Sequence, residues 1–187
     1  MREDVRRQTN PLTTPNPNCL DPSDLVERHY RSLYLFALSL THSESEACDL
    51  TQHTFFTFQT KGEQLRDPAK VKSWLFTTLH HAFLQLRRRE GRFHHHQLSE
   101  VDSELPFISS QAAEELDSAD VLRALAKVDV PFRAPLALFY LEEYPYKEIA
   151  QILNLPLGTV KSRIARGIIR LQTLLGLRDH RGQLQPA

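Results

Sequence analysis

Glycine is scarce, six in 187 residues, and the alternating Val/Ile/Thr pattern that builds strands is nearly missing. That leaves a β-sheet little to be made from, and helical spacing of apolar residues takes its place. The expected fold is therefore all-α. Only two cysteines are present, Cys19 and Cys48; they are too few and too isolated for a disulfide framework or a cysteine-rich zinc site. No apolar run approaches the roughly 20 residues a membrane helix needs, so no membrane insertion is expected. The arginines near the start are not followed by an apolar signal core, which predicts a cytoplasmic location. A phosphate-binding glycine loop, a nucleophile elbow and a catalytic carboxylate pair are all missing. No enzymatic activity, cofactor or small-molecule substrate is expected.

What is present is segregated charge under a net charge of zero. Residues 21–60 hold six acids against two bases, and residues 61–93 hold eight bases against three acids. Residues 97–120 carry seven acids and no base, and residues 157–181 carry six bases against one acid. Two basic blocks separated by an acidic stretch fit two nucleic-acid-facing units joined by a repelling linker. Solvated helix faces are the plainer account of the same pattern.

Along the chain, residues 1–23 hold Pro11, Pro15, Pro17 and Pro22 among Asn and Thr without periodicity, the composition of a disordered tail. A helix is expected from about Asp24, with Val26, Tyr30, Leu33, Ala37 and Leu40 on one apolar stripe. Ser43 and Glu46 have capping-box spacing and open a second helix to about Phe58, with Phe55 and Phe58 facing the core. After a loop over Lys61–Pro68, a third helix runs from Ala69 to about Arg89 with Val71, Leu75, Leu79, Ala82 and Leu86 inward. These three make a small bundle over residues 24–92. Residues 93–117 form the acidic flexible linker. Beyond it, Val121, Leu125 and Val128 mark a short helix. Pro131 suits the start of another, continued by Leu136, Phe139 and Tyr140, which Pro135 should kink or delay. These begin a second domain over residues 118–175, and residues 176–187 read as a tail.

Residues 146–166 read Tyr-Lys-Glu-Ile-Ala-Gln-Ile-Leu-Asn-Leu-Pro-Leu-Gly-Thr-Val-Lys-Ser-Arg-Ile-Ala-Arg. These are two short apolar-periodic helices joined by a break at Asn154–Pro156, the second opening on small residues and then turning basic. A helix-turn-helix presents its recognition helix to the DNA major groove in this way. Val160, Ile164, Ile168 and Leu171 form the inner stripe of the last helix, which Leu174 and Leu175 extend. Lys161, Ser162, Ala165 and Arg166 fall on another face, available to DNA.

The run Gly158-Thr159-Val160-Lys161-Ser162-Arg163 closely resembles the region-four signature of bacterial sigma factors. Asp49-Leu50-Thr51-Gln52-His53-Thr54-Phe55 is similar to the region-two element Asp-x-x-Gln-acid-x-Phe, with His53 in the acid's place. The segment Trp74–Arg89 resembles the family helix that opens promoter DNA; His81 and Gln85 stand where that helix has Asn and Asp. With nothing between the two halves long enough for a folded region three, the layout resembles the extracytoplasmic-function sigma factors of bacterial RNA polymerase.

That resemblance implies a two-domain specificity subunit with core RNA polymerase, promoter DNA and an anti-sigma factor as partners. Asp49, Gln52, His53 and Phe56, which share a helix face, would dock on the polymerase. Lys61, Arg66, Lys70, Lys72, Trp74, His81, Gln85 and Arg88 would bind and melt the minus-ten element by stacking and phosphate contacts. Thr159, Lys161, Ser162, Arg163 and Arg166 would read the minus-thirty-five element. Pro145 replaces a capping Ser of the family, and Ile168 replaces a base. Three readings compete with these: Trp74 as a core residue, a free-standing helix-turn-helix regulator, and a degenerate sigma-like adaptor. His94, His95 and His96 are adjacent and cannot all face one ion from a regular helix, so no metal site is expected.

Overall fold

A computed structural model describes residues 22–62, 65, 67–91 and 118–174. The linker 93–117 and the tail 176–187 lie outside these residues, as do Arg66 and His94–His96. So does the expected tail 1–23, apart from Pro22 and Ser23, which belong to the first helix. Seven α-helices and no strand occur among the described residues. They are α1 (Pro22–Thr41), α2 (Glu44–Lys61), α3 (Val71–Arg89), α4 (Ser118–Ala126), α5 (Val130–Tyr140), α6 (Tyr146–Leu153) and α7 (Leu157–Leu174).

α1 buries Leu25, Leu33, Phe36, Ala37 and Leu40. The expected stripe is right from Leu33 onward but one residue out at its start, where Val26 and Tyr30 stand exposed. Tyr30 instead stacks on Tyr34 and on Phe55 of α2, with ring centroids 6.2 and 6.4 Å apart. His42 closes the helix with a left-handed φ of 59°, its amide donating to the Leu38 carbonyl at 2.9 Å. The chain then enters α2 through Ser43, whose hydroxyl accepts from the Glu46 amide at 3.3 Å. Only this half of the capping box forms, because the Glu46 carboxylate turns to Arg87 at 3.4 Å.

α2 runs three residues further than expected. It buries Ala47, Leu50, Thr51, Thr54 and Phe58. Thr51, Thr54, Thr57 and Thr60 each donate a hydroxyl to the carbonyl four residues earlier, the local bond by which a β-branched alcohol satisfies itself on a helix. Gly62 follows with ordinary helical φ. It has a packing reason to be glycine, since a Cβ there would lie 2.9 Å from the Phe58 ring.

α3 begins two residues later than expected. Asp67 accepts from the Ala69 amide at 3.0 Å, and the Pro68–Lys70 stretch forms a single 3-10 turn first. Its stripe is as expected through Leu79 and then turns onto Phe83, leaving Ala82 and Leu86 half-buried. Arg87 ties the bundle together: it donates to the Thr41 carbonyl at 3.4 Å and to Glu90 at 2.9 Å, and it lies over the Phe83 ring.

In the second unit Pro131 occupies the first turn of α5, and Pro135 sits inside it without delaying its start. The proline removes one rung near the N-terminal end, where few rungs yet exist. Residues Ala134–Leu138 are all buried and hold the segment. Arg133 closes the preceding turn by donating to the Val128 carbonyl at 2.6 Å and the Ala126 carbonyl at 3.2 Å. α6 ends on Asn154 at φ 52°, ψ 50°. The Asn154 amide donates to Gln151 and the Leu155 amide to Ala150, a Schellman closure with asparagine in the position glycine usually takes. α7 buries Val160, Ile164, Ile168 and Leu171 as expected, but also Ala165 and Gly167. Leu174 is exposed and does not extend the stripe, and Leu175 lies outside the described residues.

The two units are in contact. α1 lies against α4 and α5, α3 lies against α6, and the buried residues form one continuous cluster. α7 reaches α5 closely at Gly167, where a Cβ would fall 2.5 Å from Leu136 Cδ1 and 2.9 Å from its Cγ. Leu136 is fully buried and has little room to retreat. Gly167→Ala should therefore destabilise the protein. Overpacking costs about 1–3 kcal/mol and outweighs the ~1 kcal/mol gained in helix propensity. A urea midpoint that rises in the variant would show that Leu136 yields freely.

Candidate nucleic-acid interface

Asp49, Gln52, His53 and Phe56 are all exposed on α2, with Phe56 at 64% of its full exposure. Cys48 lies one turn before Gln52 and accepts weakly from its side-chain amide at 3.4 Å. Phe58 is buried and Phe55 half-buried, so the helix divides its aromatics between core and outer face.

The expected minus-ten set does not share one environment. Lys61, Lys70, His81, Gln85 and Arg88 are exposed. Trp74 is half-buried and packs edge-to-face on Phe58 at 5.7 Å. It belongs in part to the core. Lys72 does not line an open approach either. It pairs with Glu142 of the second unit at 2.9 Å and lies 5.1 Å from the centre of the Tyr144 ring. Arg66 lies outside the described residues.

In the recognition helix Lys161 is exposed. Thr159 and Ser162 are half-buried; the Ser162 hydroxyl donates to the Thr159 carbonyl at 3.1 Å. Arg166 is half-buried and engaged in interactions of its own. Ala165, expected on the DNA-facing side, is buried, because it neighbours Ile164 and Ile168 on the wide inner face. Arg163 is also half-buried, its Nε enclosed without a hydrogen-bond partner. Burial alone lowers its pKa.

Sequence reasoning missed three groups. His80 is buried on α3, yet its spacing from Phe76 and Phe83 could have assigned it to the inner face. Glu142 carries no motif, and its carboxylate side chain is only 4% exposed against Lys72. Leu157 stands exposed at the first position of α7. Among the described residues the buried side-chain polar atoms left without a partner are His80 Nδ1, Tyr144 Oη and Arg163 Nε. Each such atom costs about 1–3 kcal/mol relative to a satisfied one.

Residues 25–93 match the family model for Sigma-70 region 2, and residues 118–171 match that for Sigma-70, region 4. The ECF RNA polymerase sigma factor SigM of Mycobacterium tuberculosis is 30% identical over 81% of this chain and 76% of its own length. The chain belongs to the ECF RNA polymerase sigma factors. Another such sigma factor, SigE of Mycolicibacterium smegmatis, is 33% identical over 81% of this chain; the match spans 60% of that relative's length. Two solved structures are similar. The sigma factor RpoE of Bartonella quintana, in complex with the anti-sigma factor NepR, gives a TM-score of 0.62 at 28% identity over 83% of this chain and 98% of that one. CnrH, in complex with the cytosolic domain of CnrY, gives 0.58 at 25% identity over 83% and 87%.

Burial, then the charges of His81 and Arg163, push His80 of this sigma factor down to about 4 from an ordinary 6.5. Between those values only the unfolded chain binds the proton, so stability falls as pH drops from about 6.5 to about 4. The loss attributable to this ring is at most about 3 kcal/mol. Urea unfolding across this window should give a shallower pH slope for His80→Leu than for the wild type. Parallel slopes would remove His80 as the cause.

Proposed function

We propose that this sigma factor directs core RNA polymerase to a bipartite promoter and helps open the start site without catalysing the chemistry. The observation that carries this reading is the pairing of a region-two match over 25–93 with a region-four match over 118–171 in one chain. A free-standing helix-turn-helix regulator would have no use for the first. The exposed α2 ridge of Asp49, Gln52, His53 and Phe56 is the polymerase-docking face. Its acid, amide and aromatic suit a partner helix, and the exposed His53 ring adds a further polar contact.

Around the start site, Lys61, Lys70 and Arg88 hold phosphates, and His81 and Gln85 present planar groups to unpaired bases. Trp74 supports that surface from its contact with Phe58. In the second unit Lys161 supplies a phosphate contact, while Arg163 and Arg166 are the residues able to read base edges once they reach a groove. Thr159 and the first-turn amides of α7 suit a further phosphate. The division is a region-two domain at 24–92 and a region-four domain at 118–175, with the acidic stretch 93–117 as tether. The solved neighbour RpoE was captured with the anti-sigma factor NepR, which supports regulation of this chain by a protein of that kind. Work on polymerase and DNA places the protein in the cytoplasm. None of the described helices is long and apolar enough to cross a membrane.

Run-off transcription with core enzyme and a library of genomic fragments should yield discrete transcripts that depend on the added chain. Promoter-independent DNA binding with no transcripts would favour the regulator reading. Asp49→Ala combined with Gln52→Ala should weaken co-purification with core enzyme at least about tenfold, since ridge residues of this kind dominate docking energy. Lys161→Ala should weaken binding of the holoenzyme to all promoters alike and reduce the slope of log K against log salt by about 1. A sequence-dependent loss would instead make Lys161 a base-reading residue.

A further inference from the structure

The outer face of α2 continues onto α1. Tyr30, exposed on α1, stands in a near-parallel stack of three rings, 6.2 Å from Tyr34 at 5° and 6.4 Å from Phe55 at 8°. Its hydroxyl hydrogen-bonds to Cys48, and this bond, ahead of burial, raises the tyrosine pKa. The hydroxyl therefore keeps its proton at neutral pH and acts as a donor. The same sulfur accepts from Nε2 of Gln52 at 3.4 Å. Tyr30, Cys48 and Gln52 thus form one chain of polar contacts that runs from α1 to the ridge of α2.

A glutamine amide carries two N–H donors on one side and an acceptor oxygen on the other. An unrestrained glutamine at the surface presents either side to a partner and loses rotamer freedom when it binds. Here the nitrogen is turned towards Cys48, which leaves the oxygen on the side away from the sulfur. Sulfur is a weak acceptor, but its neighbours are held. Stacking restrains the Tyr30 ring, and Cys48 stands one helical turn before Gln52 on the same face of α2.

We propose that Tyr30 is a positioning residue for the ridge: acting through Cys48, it holds Gln52 with its nitrogen inward and its carbonyl oxygen outward. The polymerase group that meets Gln52 is then a hydrogen-bond donor, such as an arginine or lysine side chain. The polymerase as partner rests on the docking reading above; the orientation of the amide rests on contacts within this chain.

The test uses the full chain labelled with nitrogen-15. In its amide spectrum the Gln52 side-chain pair is the one lost in Gln52→Ala. That pair should move in Tyr30→Phe, which keeps the ring stack, and in Cys48→Ala. It should return towards its original position in Cys48→Ser, which restores an acceptor. The pair of Gln151, exposed on α6, should stay in place throughout. Fluorescence anisotropy with core RNA polymerase should show binding about threefold weaker for Tyr30→Phe, and no further loss from it once Gln52 is alanine. Gln52→Met, without an acceptor, should bind at least about fivefold more weakly than Gln52→Glu, which keeps outward oxygens.

A Gln52 pair that stays in place in Tyr30→Phe overturns the positioning role. So do equal losses from Tyr30→Phe with and without Gln52, which would make Tyr30 a direct contact. Equal affinities of Gln52→Met and Gln52→Glu overturn the donor assignment. The expected spectra from an unaltered chain that binds no core enzyme uphold the positioning and count against the docking reading, and with it the donor assignment.

Discussion

One ring holds this structure together. Phe76 is fully buried, edge-to-face with Phe36 of α1 at 5.2 Å and with Tyr144 of the second unit at 5.8 Å. Each such aromatic pair contributes about 0.5–1.5 kcal/mol beyond its buried area. The first pair closes the α1–α3 core, and the second joins that core to the corner preceding the helix-turn-helix. Because the same side chain serves both, movement of the second unit is felt in the middle of the first. α3 is therefore both a core helix of the first unit and the platform on which the second unit rests.

The faces differ in how finished they are. The α2 ridge is exposed and already arranged, its underside secured by Leu50, Thr54 and Phe58. Three of the residues expected at DNA are less open: Lys72 is paired, Arg163 is half-buried, and Trp74 leans on Phe58.

Much of this was legible in the sequence, and the reasons are physical. Helical periodicity located the helices, and the Asn154–Pro156 break marked the turn of the helix-turn-helix. Spacing also placed Val160, Ile164, Ile168 and Leu171 inside, since a repeat of three and four on a single helix leaves little choice. The stripe at the start of α1 was one residue out because Val26 and Leu25 are equally apolar, and only the packing of a neighbouring helix decides between them. The role of Lys72 was out of reach for another reason. Its partner Glu142 lies seventy residues away, and no local pattern announces a long-range pair. Ala165 shows another limit: the expected face was the outer one, while the breadth of the inner face decided otherwise.

The threonines of α2 have a consequence of their own. Thr51, Thr54, Thr57 and Thr60 turn their hydroxyls back onto the helix, and β-branched residues in such number are poor intrinsic helix formers. The shape of the segment is therefore borrowed from α1 and α3, which enclose its inner side. Cut out as a free peptide, Glu44–Lys61 would carry Asp49, Gln52, His53 and Phe56 and yet fail to display them on one face as the intact protein does.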